Sequence, residues 1–286
     1  MKLLTRIGAM AAAALLLMMA MAGGAAAEKR PEMQLHQIHL PGDANAHVLI
    51  AGDTVIFVDC GTDTDVHATP EPMFDYMRAL GIDHVDAHFV THFHNDHSQQ
   101  IDDLSEMYGT DDTILYIPTE ELPERFLPLP KGKTRQLKCG EETDVGPFHV
   151  KCVGPEQVTH FGNSNVDSLN FIVSYGDTDI LFTGDFCSKR VGAMFPEDLR
   201  KVDVLVFPHH GLTPHPITWA TLVNLFPKVV LVPGKNAGSV RTIFAAYRQS
   251  PEVYSFHDGN VVLLSDGEEI TAVTDADPAQ FPYGKN

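Results

Sequence analysis

Basic residues are scarce in this chain: 20 lysines and arginines stand against 38 aspartates and glutamates, a formal net charge of −18. Such a surface repels polyanions and weakens the counterion release that drives nucleic-acid binding, so nucleic acid is disfavoured as a partner. The one basic cluster, Lys131, Lys133, Arg135 and Lys138, reads as a solvated hairpin. Cysteine is also sparse, at Cys60, Cys139, Cys152 and Cys187. An even count permits disulfides in an oxidising compartment. Cys139 and Cys152 flank an expected hairpin and form the candidate pair, while buried free thiols account for Cys60 and Cys187. Low-complexity tracts, internal repeats and long linkers are missing, which points to one domain.

Long apolar runs are missing as well, with one exception at the start. Lys2 and Arg6 precede an almost wholly apolar stretch from Ile7 to Met21, followed by Ala25-Ala26-Ala27. This is the layout of a secretory signal peptide with a small-residue cleavage site, and the run is short for a membrane span. Cleavage after Ala27 leaves a domain at residues 28–286, with no span, at a secreted or periplasmic location. Loss of Lys2 and Arg6 takes the net charge from −18 to about −20. No cysteine follows the apolar run, so a lipoprotein anchor has no attachment point there.

Beyond residue 27, short apolar or alternating stretches broken by Pro-Gly and Gly-Asp read as strands: MQLHQIHL, NAHVLIAG and TVIFVDCG. In TPEPMFDYMRALG the period changes, and Met73, Phe74, Met77 and Leu80 form one helical face. DAHFVTH returns to strand, Ile101, Leu104 and Met107 mark a helix, and RQLKCGEETDVGPFHVKCVGP reads as a hairpin. LNFIVSY, DILFTGD, VDVLVFPHHG and KVVLVPG are further strands, with helices at ITWATLVNLF and SVRTIFAAYRQ. EVYSFHDGNVVLLSDGEEI reads as a closing hairpin that turns at Asp258-Gly259. Strand-rich halves interleaved with outer helices suggest two face-to-face sheets covered by helices, an α/β four-layer αββα sandwich.

The most informative stretch is His92-Phe93-His94-Asn95-Asp96-His97, inside VTHFHNDHS. Four ligand-type side chains in six positions point to two neighbouring cations, because one tetrahedral ion rarely takes four ligands from a tight loop. Imidazole and carboxylate together suit zinc or another borderline divalent ion. Reactive groups in α/β folds collect at the carboxyl ends of strands, and three further ends carry candidates. Asp59, in FVDCGT, is placed to orient the metal loop by hydrogen bonds. Asp185, in ILFTGDF, is placed to bridge two metals. Of His209 and His210, in VFPHHG, one is placed to complete a metal site and the other to reach substrate.

In this order the motifs resemble the metallo-β-lactamase superfamily: Asp59 before a glycine, His92-x-His94-x-Asp96-His97, Thr183-Gly184-Asp185 and His209-His210-Gly211. VDVLVFPHHG, ITWATLVNLFPKVVLV and the ending VYSFHDGNVVLLSDGEEI are most similar to the ComEC-type branch and to secreted phosphorylcholine-esterase-like relatives. The resemblance implies a first metal site of His92, His94 and a third histidine, for which His160 is the candidate and His149 the fallback. It implies a second site of Asp96, His97 and one of His209 or His210, with Asp185 bridging; His210 is favoured as ligand and His209 as the group meeting substrate. The implied cofactor is two zinc ions, with manganese or iron as alternatives. The implied activity is hydrolysis by a hydroxide shared between the metals, with Asp96 orienting it and His209 stabilising charge on oxygen. Asn165 and Ser168 are candidate substrate contacts, and the expected substrate is a small-molecule phosphoester or other ester. A lactonase, a nuclease and a non-catalytic metal-binding protein are the alternatives.

Three positions depart from the pattern. Relatives usually continue after the cluster with a small apolar residue and paired glycines, where this chain has Ser98-Gln99-Gln100. Asn95 leaves no carboxylate between His94 and Asp96, unlike the flavodiiron members, which disfavours a di-iron redox enzyme. Asp185 stands where the commonest zinc β-lactamases place a cysteine, which disfavours antibiotic hydrolysis.

Overall fold

The computed structural model describes residues 32–62, 71–162, 164–186, 201–212 and 221–284. The apolar N-terminal segment and Cys187 lie outside the described residues, as does most of ITWATL. Among the described residues, fifteen strands build two sheets. The first has the order β15 (270–273), β14 (261–265), β1 (33–37), β2 (47–51), β3 (54–58), β4 (87–89), β5 (114–117), β6 (133–136). The second has the order β13 (252–255), β12 (229–232), β11 (204–206), β10 (178–182), β9 (170–175), β8 (148–154), β7 (142–145).

Alternation along the strands sorts the apolar residues into three layers. Leu49 of β2, Ile56 and Val58 of β3, Phe171 of β9, Phe182 of β10 and Leu231 of β12 meet between the sheets. The other faces are buried too. Val48, Ile50, Val55 and Phe57 pack on α1 (Glu71–Leu80) through Met73, Phe74, Met77 and Leu80, and on α3 (Ile101–Tyr108). Leu181, Leu205, Val230 and Val232 pack on α4 (Ala237–Ala246) through Val240, Ile243 and Phe244. Each fully buried side chain of this size contributes about 1.5–3 kcal/mol. The result is the expected αββα sandwich.

Two expected hairpins turn out differently. Lys133–Gln136 is β6, which pairs parallel with β5 in the first sheet, while β7 and β8 form the hairpin in the second sheet. Lysine and arginine on β6 leave a charged edge of the kind that discourages strand addition. Likewise β13 and β14 lie in different sheets. A capping box between Ser255 and Asp258 ends β13 in a 3-10 turn, and the chain crosses from one sheet to the other. The Cys139–Cys152 pair is not formed: Cys60, Cys139 and Cys152 are free thiols. Cys152 faces the inter-sheet core, whereas Cys139 is exposed in the preceding turn.

Both sheets contain a parallel part, β3–β4–β5–β6 in one and β10–β11–β12–β13 in the other. The segments leaving β3, β4, β10 and β11 carry all the candidate ligands except His160 and the fallback His149.

Candidate metal centre

After β3 the chain turns sharply at Asp59, whose φ is 55°. Its amide donates to Phe89 O (2.9 Å), which ties the end of β3 to β4. Gly61 then passes so close to the histidine run that a Cβ there would sit 1.7 Å from Asp96 O, so only glycine fits. The run itself includes a short helix, α2 (Asn95–Ser98). Gly184, after β10, has φ 48°, and a Cβ there would meet Thr91 Cβ at 2.7 Å and Ser168 Cβ at 3.0 Å. After β11, His209 and His210 both adopt left-handed backbone, with φ 52° and 54°. Such strain costs on the order of 1–3 kcal/mol per residue and collects at functional sites.

These turns bring six ligand-type side chains into two groups: Asp96, His97, Asp185 and His210 in one, His92, His94 and Asp185 in the other. Within each group the ligand atoms lie within 4.8 Å of one another, and Asp185 belongs to both. Its Oδ1 is 3.0 Å from His97 Nε2, and its Oδ2 is 3.3 Å from His210 Nε2 and 4.0 Å from His92 Nε2. His210 Nε2 also meets Asp96 Oδ2 at 3.2 Å.

Hydrogen bonds from behind set the ring orientations. His97 Nδ1 donates to Asp59 Oδ2 at 2.7 Å, which leaves Nε2 as the inward nitrogen. Asp59 also accepts from Thr91 N (2.8 Å) and Thr91 Oγ1 (3.0 Å), so three donors face one buried carboxylate. His210 Nδ1 donates to Pro233 O at 3.0 Å, again freeing Nε2. Asn45 Nδ2 lies 3.2 Å from both His97 Nε2 and His210 Nδ1. His92 Nδ1 lies 3.2 Å from Thr91 Oγ1 and 3.3 Å from Ser168 Oγ, while its fully buried Nε2 has no protein partner.

Electrostatics follow from this crowding. Burial opposes a charged His97, but the Asp185 and Asp59 carboxylates overcome it and raise its pKa well above the usual range. Burial also opposes a charged His210, and its bonds to Asp185 and Asp96 raise it to about 10. Burial would raise Asp185, yet His97 and His210 hold it well below the usual carboxylate range. Burial and the neighbouring His97 lower His92 well below an ordinary imidazole. Burial raises Asp59 against the pull of His97.

A divalent cation fits these residues. His92 Nε2 is an orphaned buried acceptor aimed at the centre, and imidazole with carboxylate is the donor set that borderline cations take. The raised pKa values of His97 and His210 keep protons on nitrogens that would bind a cation, so uptake would release them.

Other expected site residues fall elsewhere. His160 joins neither group; it is exposed, with Nδ1 2.7 Å from Thr159 Oγ1. His149 lies on β8 beside Asp144 Oδ1 (2.8 Å), in neither group. Ser168, expected at the substrate, is fully buried and accepts from Asp185 N at 3.1 Å, so it braces the centre from beneath. Asn165 sits half-buried in a 3-10 turn with a buried Oδ1 that has no partner. His209 is at the rim, 30% exposed, with Nε2 4.0 Å from Asp185 Oδ2. Thr91 and Asn45 carry no motif signal of their own beyond Thr91's place at the start of the histidine run.

The family model for the beta-lactamase superfamily domain matches residues 54–234, which include both donor groups. The chain belongs to that superfamily. Its members are metal-dependent hydrolases, and non-hydrolytic members also occur. Among solved structures, the metallo-β-lactamase fold protein YhfI from Bacillus subtilis is similar with a TM-score of 0.54 and 16% identity, over 85% of this chain and 100% of that one. A mutant of the CmlA β-hydroxylase is similar with a TM-score of 0.52 and 13% identity, over 78% of this chain and 52% of that one. Both likenesses are of fold. A search of curated proteins finds no match.

Proposed function

We propose that this protein is an exported, two-metal hydrolase of small phosphoesters or related esters, with zinc as the working ion. The observation that carries the reading is Asp185: one buried carboxylate contributes to both donor groups. The first group would hold one ion through His92, His94 and Asp185, the second another through Asp96, His97, Asp185 and His210. Bound there, the ions would supply Lewis-acid polarisation of a substrate oxygen and an activated water.

The chain's own residues do the rest. Asp96 and Asp185 keep carboxylate oxygens turned inward, Asp96 from a half-exposed position that orients a nucleophile's proton. His209 stands at the open rim, 30% exposed; burial lowers its pKa, so it is neutral near pH 7 and can share a proton with a substrate oxygen. A cleft of about 1050 Å³ has a lining that includes Thr159 and Leu169, neighbours in sequence of His160 and Ser168. Glu120, Glu121, Glu124 and Glu156 line it against a single lysine, Lys138. This balance, with the net charge of −18, disfavours a polyanion such as nucleic acid and supports a small substrate instead. We read the VDVLVFPHHG and VYSFHDGNVVLL segments as placing the chain near the ComEC-type and phosphorylcholine-esterase-like branch.

Metal analysis of the purified protein tests the reading first: about two zinc or manganese ions per chain are expected, and loss of both in Asp185→Asn. A panel of bis(p-nitrophenyl) phosphate, a lactone, nitrocefin and single-stranded DNA then assigns the substrate class. Turnover of DNA alone would overturn the small-ester assignment.

A further inference from the structure

The histidine run is gripped from nearly all sides by main chain. Among the described residues, the carbonyl of His94 accepts from His97 N and Ser98 N, that of Asn95 from Thr62 N, that of Asp96 from Asn45 N and that of His97 from Cys60 N. Phe93 N in turn donates to Gly162 O at 2.7 Å. The carbonyl of Phe93, between the two histidines of the three-donor group, is held differently: its donor is a side chain, Arg125 Nη2. Arg125 stands in the 3-10 turn Glu124–Phe126 between β5 and β6, its guanidinium 4.5 Å above the Phe126 ring. The same fork reaches Asn95 Oδ1 and Ser98 Oγ, both at 3.3 Å. Ser98 Oγ passes the link on by donating to His94 O at 2.9 Å.

We infer that Arg125 is a positioning residue for the metal centre: a planar fork that fixes Phe93, Asn95 and Ser98 and so aims the imidazoles of His92 and His94. A guanidinium suits the task because it presents several donors in one rigid plane, which an ammonium lacks. The inference also accounts for Ser98, a polar residue where small apolar ones are usual in the resembling family. Its hydroxyl is the relay between Arg125 and the backbone of His94. The contacts of Arg125 are with Phe93 O, Asn95 Oδ1, Ser98 Oγ and the Phe126 ring, so it acts through the loop. The inference rests on the two-metal reading for its consequence, but its geometric core can be tested without metal.

The full chain carrying Arg125→Gln, Arg125→Lys, Ser98→Ala or Arg135→Gln would be titrated with zinc against a competing chelator. Loss of such a supporting partner costs about 10–100-fold in metal affinity. We expect that loss for Arg125→Gln, a smaller loss for Arg125→Lys and Ser98→Ala, and no change for Arg135→Gln, which lies over Tyr116 away from the run. Amide exchange of the metal-free chain supplies a second readout: Arg125→Gln should speed exchange at His97 and Ser98 while leaving strand amides of β9 and β10 unchanged. Zinc binding within twofold of the unaltered chain, or faster exchange spread evenly over the domain, overturns the inference. An unaltered chain that takes up no zinc defeats the two-metal reading instead, and the exchange experiment then decides Arg125 by itself.

Discussion

The two donor groups share a carboxylate but differ in how tightly they are built. In the group of Asp96, His97, Asp185 and His210, contacts of 3.0–3.3 Å already link side chains, and both imidazoles are oriented from behind, one by Asp59 and one by the carbonyl of Pro233. In the group of His92, His94 and Asp185, the Asp185 Oδ2 stands 4.0 Å from His92 Nε2, which has no hydrogen-bond partner among the described residues. The first group satisfies itself with protons when no cation is present. In the second, the carboxylate lies beyond hydrogen-bond reach of His92, so no proton bridges that pair. Proton competition should therefore govern the four-donor group, and loop geometry the three-donor group.

The largest effect should come from the residue both groups share. Asp185→Asn removes charge from each and leaves His97 and His210 without their principal counter-ion. Metal content should fall toward zero and hydrolysis by at least about a hundredfold, more than the loss of a supporting partner brings. An Asp185→Asn chain that keeps one tightly held ion would show that the groups are independent.

Acidity should separate the groups next. Uptake by the four-donor group displaces protons from His97 and His210, so its affinity should fall by about tenfold per pH unit for each proton displaced. The three-donor group, with His92 already neutral, should depend on pH less. The metal-free chain shows the opposite sign. His97 and His210 have folded pKa values above the unfolded value, so their contribution is complete below about 6.5 and is lost as pH rises through about 10 for His210. Asp185, depressed, adds stability above its unfolded value near 3.8 and loses it as pH falls through its lower folded value. Melting of the metal-free chain should thus decline from pH 7 to 10 while zinc binding strengthens; parallel trends would contradict the proton-filled centre.

Asp59→Asn probes the support behind one group alone. His97 would lose its anionic acceptor, and zinc affinity of the four-donor group should drop by about 10–100-fold with the three-donor group largely unaffected. An equal drop in both would mean that the groups are mechanically coupled through Thr91, which contacts Asp59, His92 and His97 together.

How much of this was legible in the sequence depends on distance along the chain. The layers could be read because period-2 and period-3.6 patterns are local, and the His92–His97 run because its ligands are contiguous. Asp59, Asp185 and His210 were readable as strand ends carrying polar residues beside glycine. The crossing from β13 to β14 was not, since a capped turn between sheets and a hairpin turn share the same Asp-Gly signal. Arg125 and Asn45 were invisible for a different reason. Each acts by hydrogen bonds across 27 or more residues, from a Pro-rich connection and a loop with no motif of their own. The loop position of Ser168 suggests a substrate contact, but its burial depends on how Gly184 packs against it, which no local pattern reveals.

His160 gives the smallest expected effect and bears most directly on the asymmetry. Spacing before LNFIVSY made it the candidate third imidazole, yet its side chain is exposed beside Thr159. What holds its segment is Asp167: Oδ1 accepts from Thr159 N, and Oδ2 accepts from His160 N (2.8 Å) and Gly162 N (3.1 Å). That clamp fixes the backbone which Phe93 N meets at Gly162 O, so the segment serves the centre through its main chain. His160→Ala should accordingly change zinc affinity of the three-donor group by less than about threefold, whereas Asp167→Asn, which loosens the clamp, should cost about tenfold or more. If His160→Ala instead empties that group, the ring swings inward on metal binding, and the open group is a four-donor site that closes only when its cation arrives.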